Sequence, residues 1–125
     1  MINSPEHTLL FALNRTSQET ELVEALQKKA FNLVVAETGE ETIRVFSGNY
    51  KISLIILTND LPGKDAFKTA DEIRQYDPNV PLILLSNFVT LHSIRLALGM
   101  GYNEILQTPV SIETLEKILL KYLHN

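Results

Sequence analysis

Residues 54–63 read LIILTNDLPG, and the order of residue types in that stretch sets the architecture. Four apolar residues stop at Thr58-Asn59-Asp60 and then at Pro62-Gly63. A short unbroken apolar run reads as a strand buried on both faces, and the polar residues after it read as the loop that receives its last side chain. Working outward, comparable runs lie at residues 8–13, 33–36, 81–85 and 104–106. Each is followed by a segment with helical spacing. The box Thr16-Ser17-Gln18-Glu19 precedes Leu22, Ala25, Leu26 and Ala30, and the box Thr38-Gly39-Glu40-Glu41 precedes Ile43, Val45 and Phe46. In both, hydroxyl and carboxylate are spaced to satisfy the free amides of a first helical turn. Residues 47–49 should end the second helix. The third is expected over about residues 64–76 on Phe67, Ala70 and Ile73, and the fourth over about 90–99, before a turn at Gly101. Ser111 is placed to cap the last, whose Ile112, Leu115, Ile118, Leu119, Tyr122 and Leu123 form one apolar stripe.

Five strand–helix units with nearly all-apolar central strands demand a parallel sheet covered by helices on both faces, because neither face can stay wet. The 125 residues, 45% hydrophobic and 21% charged, fit one domain spanning 1–125. A net charge of -4 with scattered Lys and Arg argues against a nucleic-acid footprint. The absence of cysteine removes disulfide and thiolate chemistry and fits a reducing compartment. His7, His92 and His124 have no metal-ligand spacing. No apolar stretch approaches a membrane span, and MINSPEHT has no signal-peptide pattern. The reading is a cytoplasmic protein with no membrane contact, no cofactor and no metal. In such sheets any ligand or reactive group lies at the C-terminal strand ends.

With these residues in view, the chain resembles the response-regulator receiver family, the phosphoacceptor modules of two-component signalling. The likeness rests on the third strand followed by Leu61-Pro62-Gly63-Lys64-Asp65, the Glu40-Glu41 helix start after Gly39, the hydroxyl of Ser86, the Gly101 turn and the strand ending before Pro109. It implies a flavodoxin-like (βα)5 fold in three layers, with a five-stranded parallel sheet in the order 2-1-3-4-5. The family places an acidic pair after the first strand, a phosphoacceptor aspartate after the third, Ser or Thr after the fourth, and Lys before the proline after the fifth. Carboxylates there hold Mg²⁺ and accept phosphate, while Lys and the hydroxyl hold the product oxygens. Laid on this chain, the acidic pair falls on Leu13 and Asn14, the phosphoacceptor on Thr58 and the lysine on Thr108. Only Ser86 matches. Asp60 falls two residues past the acceptor position, where the family supplies a backbone carbonyl.

A hard dication without carboxylates binds weakly, and an unactivated threonine hydroxyl is a poor phosphoacceptor. The resemblance therefore implies a degenerate, non-enzymatic receiver acting by protein contact. It also implies a cis peptide at Thr108-Pro109 and puts Ile105 where the family has a switch aromatic. The fourth helix is apolar on more than one stripe, with Arg95 its only formal charge. If Leu96, Ala97 and Met100 pack on the sheet, then Leu91, Ile94 and Leu98, with Ile105 beside them, form an interaction face for a signalling protein or a second copy. The family uses its fourth helix, fifth strand and fifth helix for such contacts. An alternative is a small-molecule or anion-binding module, with Arg15, Asn59 and Asn87 adding contacts at the remodelled strand-end pocket. A third expectation is phosphorylation of Thr58 by a Ser/Thr kinase.

Overall fold

A computed structural model of the chain describes residues 7–14, 19–29, 31–48 and 51–123. The apolar runs become β1 (Thr8–Ala12), β2 (Asn32–Ala36), β3 (Leu54–Thr58), β4 (Leu82–Ser86) and β5 (Glu104–Gln107). They pair in parallel in the order β2-β1-β3-β4-β5. That is the expected order, and it follows from right-handed crossovers that place helices on both faces. The central strands reach one residue further than their apolar runs. Thr58 pairs with Leu85, and the Asn59 amide still donates to the Leu85 carbonyl at 2.8 Å, so the ladder, not hydropathy, sets the limit.

Between the strands lie α1 (Thr20–Gln27), α2 (Gly39–Phe46), α3 (Ala66–Tyr76), α4 (Leu91–Gly99) and α5 (Ile112–Tyr122). Strand alternation sorts the core into two layers. Leu10, Ile55, Leu57, Leu82 and Leu84 meet Ile43, Ala70, Ile73 and Ala97 on the α2–α3–α4 side. Leu9, Phe11, Leu54, Ile56, Ile83 and Leu85 meet Leu22, Leu26, Leu115 and Leu119 on the α1–α5 side. Both faces of β3 and β4 are covered, and every residue of those strands is buried. The outer strands β2 and β5 are only half-covered, and β5 ends on exposed Gln107.

Local chemistry fixes the helix starts. The hydroxyls of Thr38, Thr90 and Ser111 and the carboxylate of Asp65 accept amides of the first turns of α2, α4, α5 and α3. Two expectations change. Thr38 caps α2 by accepting from the Glu41 amide at 3.0 Å, but the Glu41 carboxylate takes the Glu37 amide at 2.7 Å rather than closing the box on Thr38. Of the other box, Thr16, Ser17 and Gln18 lie outside the described residues. There α1 begins at Thr20, with Glu19 at its N-cap and no side-chain cap bond. A closed box forms instead on α4, where Thr90 and Ser93 exchange both hydrogen bonds.

The β3–α3 loop reaches α3 through Gly63, whose φ of +74° only glycine adopts without strain and where a side chain would strike the Glu40 carboxylate. That carboxylate instead accepts the Lys64 amide at 3.1 Å, and this bond, the largest cause, holds it below its ordinary value.

Candidate functional site

The C-terminal strand ends bring Leu13, Thr58, Ser86 and Thr108 into one row. The registers Ala12↔Leu57 and Thr58↔Leu85 align the first three strands involved, and the Thr108 amide donates to the Ser86 carbonyl at 2.8 Å. The Thr108-Pro109 peptide is cis, as expected. The row shares a position but its side chains do not converge. Leu13 packs in the α1–α5 core at 1% exposure. Thr58 follows Leu54 and Ile56 toward the same side, is 1% exposed, and its hydroxyl has no hydrogen-bond partner among the described residues. Ser86 follows Leu82 and Leu84 to the other side. Its hydroxyl donates to the Phe88 carbonyl at 3.0 Å and accepts the Phe88 amide at 3.3 Å, so it is engaged within its own loop.

Asn14 and Thr108 are half-buried, whereas Asn59 and Asn87 are exposed. Arg15 lies outside the described residues. No group of three or more His, Cys, Asp or Glu side chains suited to a metal ion occurs among the described residues. The hollow at this end of the sheet has a volume of about 300 Å³ and is lined by Glu19, Glu21, Leu22, Thr108, Pro109 and Val110. Of the residues expected to line a pocket and described in the structure, only Thr108 borders it. Of its two carboxylates, Glu19 was expected in a helix-start box and Glu21 was not singled out from the sequence. The signal available was an acidic pair on one turn at the start of α1.

The α4 face differs in kind. Leu91 is 65% exposed and Leu98 52%, while Ile94 and Ile105 are half-buried, Ile105 against the α2–α3–α4 core. The packing phase departs from expectation at Leu96, which is 48% exposed instead of lying on the sheet. Ala97 is the one fully buried residue of α4, flanked at helical spacing by half-buried Ile94 and Met100. A small residue at the contact lets the helix lie close to the sheet, which turns both neighbouring leucines outward. With Phe88 at 73%, four of the six exposed large hydrophobic residues among those described fall between residues 88 and 98, so the apolar surface is concentrated there.

The corner beneath α4 is fixed by residues the sequence reading did not select. The Arg74 guanidinium donates to the carbonyls of Gly101 and Asp77 and to Asn103 Oδ1. Asn103 Oδ1 also accepts the Leu82 amide at 2.9 Å. Gly101, at φ +99°, lies so close to Arg74 that a side chain would collide with it. Tyr102 is buried, donates to the Ala66 carbonyl at 2.7 Å, and meets Phe67 edge-on at 6.3 Å. Burial pushes its phenol far above the ordinary value. On the adjoining edge, Glu104 accepts from Lys121 at 2.8 Å and Tyr122 at 2.5 Å. Burial pushes the Glu104 carboxyl up, but these two donors outweigh it and hold the group below its ordinary value.

The family model of the response regulator receiver domain matches residues 14–120. Among solved structures, the chain is similar to the chemotaxis protein CheY4 of Vibrio cholerae, with a TM-score of 0.85 and 19% identity over 94% of this chain and 98% of that one. It is also similar to the receiver domain of a sensor histidine kinase from Pseudomonas aeruginosa, which holds a magnesium ion in its active-site cleft (TM-score 0.83, 20% identity, 93% and 96% covered). A two-component response regulator from Clostridium difficile aligns with a TM-score of 0.81 and 24% identity over 95% and 99%. At these identities the likeness concerns the fold. No curated protein matches.

Proposed function

We propose, for a chain that belongs to the response regulator receiver domain family and so to two-component signalling, a role as a non-enzymatic cytoplasmic interaction module whose output does not depend on aspartyl phosphate. The observation that carries this reading is Thr58, a buried threonine with an unpartnered hydroxyl at the end of β3, where the family's phosphoacceptor carboxylate is expected. Leu13 supports it by filling, with core packing, the place of an acid that would hold Mg²⁺. The resulting pocket would offer a dication no carboxylate from Leu13, Asn14 or Thr58.

The reading assigns output to the α4 side, through Leu91, Leu98 and the half-buried Ile94 and Ile105, toward a signalling protein or a second copy. In support, the apolar surface of the described residues is concentrated there. Modification of Thr58 by a Ser/Thr kinase is disfavoured by its burial at 1% exposure.

Exposure to acetyl phosphate or phosphoramidate with Mg²⁺, followed by intact-mass measurement, is expected to give no phosphoryl adduct. Titration with Mg²⁺ is expected to leave the amide spectrum unchanged at low millimolar concentration. A phosphorylated species formed from either donor would overturn the reading. No transmembrane partner segment enters this proposal, and no helix of the described residues is long and apolar enough to cross a membrane.

A further inference from the structure

Hydrophobic burial alone would choose a different phase for α4. Leu91, Ile94 and Leu98 recur at i, i+3 and i+7 and form one stripe of large apolar side chains. In the structure that stripe is turned off the sheet. Leu91 and Leu98 are exposed, Ile94 is half-buried, and the fully buried contact belongs to Ala97, whose side chain is a single methyl group. A roll of the helix by about 100°, one residue's turn, would put the stripe on the sheet and bury more apolar surface. Something outside the helix opposes that roll. The capping box of Thr90 and Ser93 cannot, because both partners turn with α4.

Tyr102 is the residue placed to oppose it. Its phenol donates to the Ala66 carbonyl at the start of α3, at 2.7 Å, and its ring meets Phe67 edge-on. On either side of it, Arg74 holds the Gly101 carbonyl, and Asn103 is joined to Leu82 of β4 through its amide at 2.8 Å and its side chain at 2.9 Å. Tyr102 therefore belongs to the frame of α3 and β4. Its amide donates at 3.0 Å to the carbonyl of Ala97, the residue that makes the contact. Both side chains lie in the same buried cluster. An interior packed as densely as an organic crystal has no spare volume there for a second large side chain.

We propose that Tyr102 is a latch that sets the rotational phase of α4. Its ring takes the volume beside the sheet that Leu98 would fill after the roll, leaves room for Ala97 alone, and so keeps Leu91 and Leu98 on the surface. The purpose of the latch rests on the α4 reading above, since a face held outward is available to a partner without any prior change in the chain. The latch itself is a matter of packing and can be read without a partner or a phosphoryl donor. Its failure would leave the proposed function standing, and a failure of that function would leave the latch.

The test is nuclear magnetic resonance of the methyl-labelled full chain with a soluble gadolinium chelate, which relaxes exposed methyl groups and spares buried ones. With Tyr102 in place, the methyls of Leu91, Leu96 and Leu98 are all expected to be relaxed. In Tyr102→Ala the relaxation of Leu91 and Leu98 should fall about fivefold or more, as the rolled helix becomes the major state and only the minor state exposes them. Leu96 should keep its relaxation, since the roll leaves it outside. Circular dichroism shows whether the variant is folded. Should Tyr102→Ala not fold, Tyr102→Leu, which keeps an apolar side chain but cannot reach the Ala66 carbonyl, is expected to give a fall of about twofold or more at the same two residues. The proposal is overturned if Leu98 is already shielded in the unsubstituted chain, if a folded Tyr102 variant relaxes Leu91 and Leu98 as before, or if it shields Leu96 to the same degree. It is also overturned if neither variant folds, because Tyr102 would then be a general support of the core and not a latch.

Discussion

Leu13 and Leu98 are the same residue type in opposite circumstances. Leu13 stands at the end of β1, where the proposed reading puts the loss of an acid, and is 1% exposed within the α1–α5 core. Leu98 stands on a covering helix, where a polar residue is the ordinary choice, and is 52% exposed. The end of β1 is thus apolar inside, and α4 is apolar outside. On the proposed reading, the first closes a reaction site and the second opens a surface. Neither follows from the fold, because the same sheet order supports both arrangements.

The largest way to break this contrast is to put a carboxylate at each place. Leu13→Asp buries an ionised group without a partner and is expected to lower stability by about 3 kcal/mol or more. Leu98→Glu should cost less than about 0.5 kcal/mol, since surface substitutions away from special features rarely cost more. Urea denaturation of the two variants checks both numbers, and equal losses would erase the distinction between sealed and open regions.

A smaller effect is expected at Thr58. Replacing its buried, unpartnered hydroxyl by the isosteric Thr58→Val removes a polar group that gains nothing from its surroundings, so the midpoint should stay or rise by up to about 1 kcal/mol. A loss of more than about 1 kcal/mol would mean that the hydroxyl is serving a bond, and the strand end would then be polar in function as well as in composition.

The smallest effect concerns pH at the Glu104–Lys121–Tyr122 edge. The Glu104 carboxyl lies below its ordinary value of 4.5, so its contribution is present above that pH and is lost as pH falls through the depressed folded value. The Lys121 ammonium, raised above 10.5 chiefly by its hydrogen bond to Glu104, contributes below that pH and loses its contribution as pH rises through the raised folded value. Glu104→Gln should therefore lower the melting temperature by about a few degrees at most between these limits, with the gap closing in acid. A gap that persists well below pH 4.5 would assign the effect to packing rather than charge.

Much of the fold is legible because its determinants are local. The run LIILT can only be a strand covered on both sides, and Thr38, Thr90 and Ser111 hold hydroxyls within reach of their own first-turn amides. The phase of α4 is not legible in the same way. Leu96, Ala97 and Leu98 are consecutive and all apolar, so periodicity cannot choose among them, and the choice falls to the small volume of Ala97 against the sheet. The α4 corner is hidden for another reason. Arg74 meets Gly101 across 27 positions, and Tyr102 meets Ala66 across 36, and no spacing rule connects residues so far apart. At the strand ends, the residue types Leu13, Thr58, Ser86 and Thr108 are readable one by one. That Ser86 turns back onto Phe88, and that the open hollow belongs to Glu19 rather than to Thr58, depends on which side of the sheet each side chain takes.

The rim strand β5 is four residues long, opens on Glu104 tethered to Lys121 and Tyr122, and finishes on exposed Gln107. So brief and polar a border is a poor template for another backbone. On the proposed reading, copies or partners that gather on this flank would grip leucine and phenylalanine side chains, leaving the sheet five strands wide.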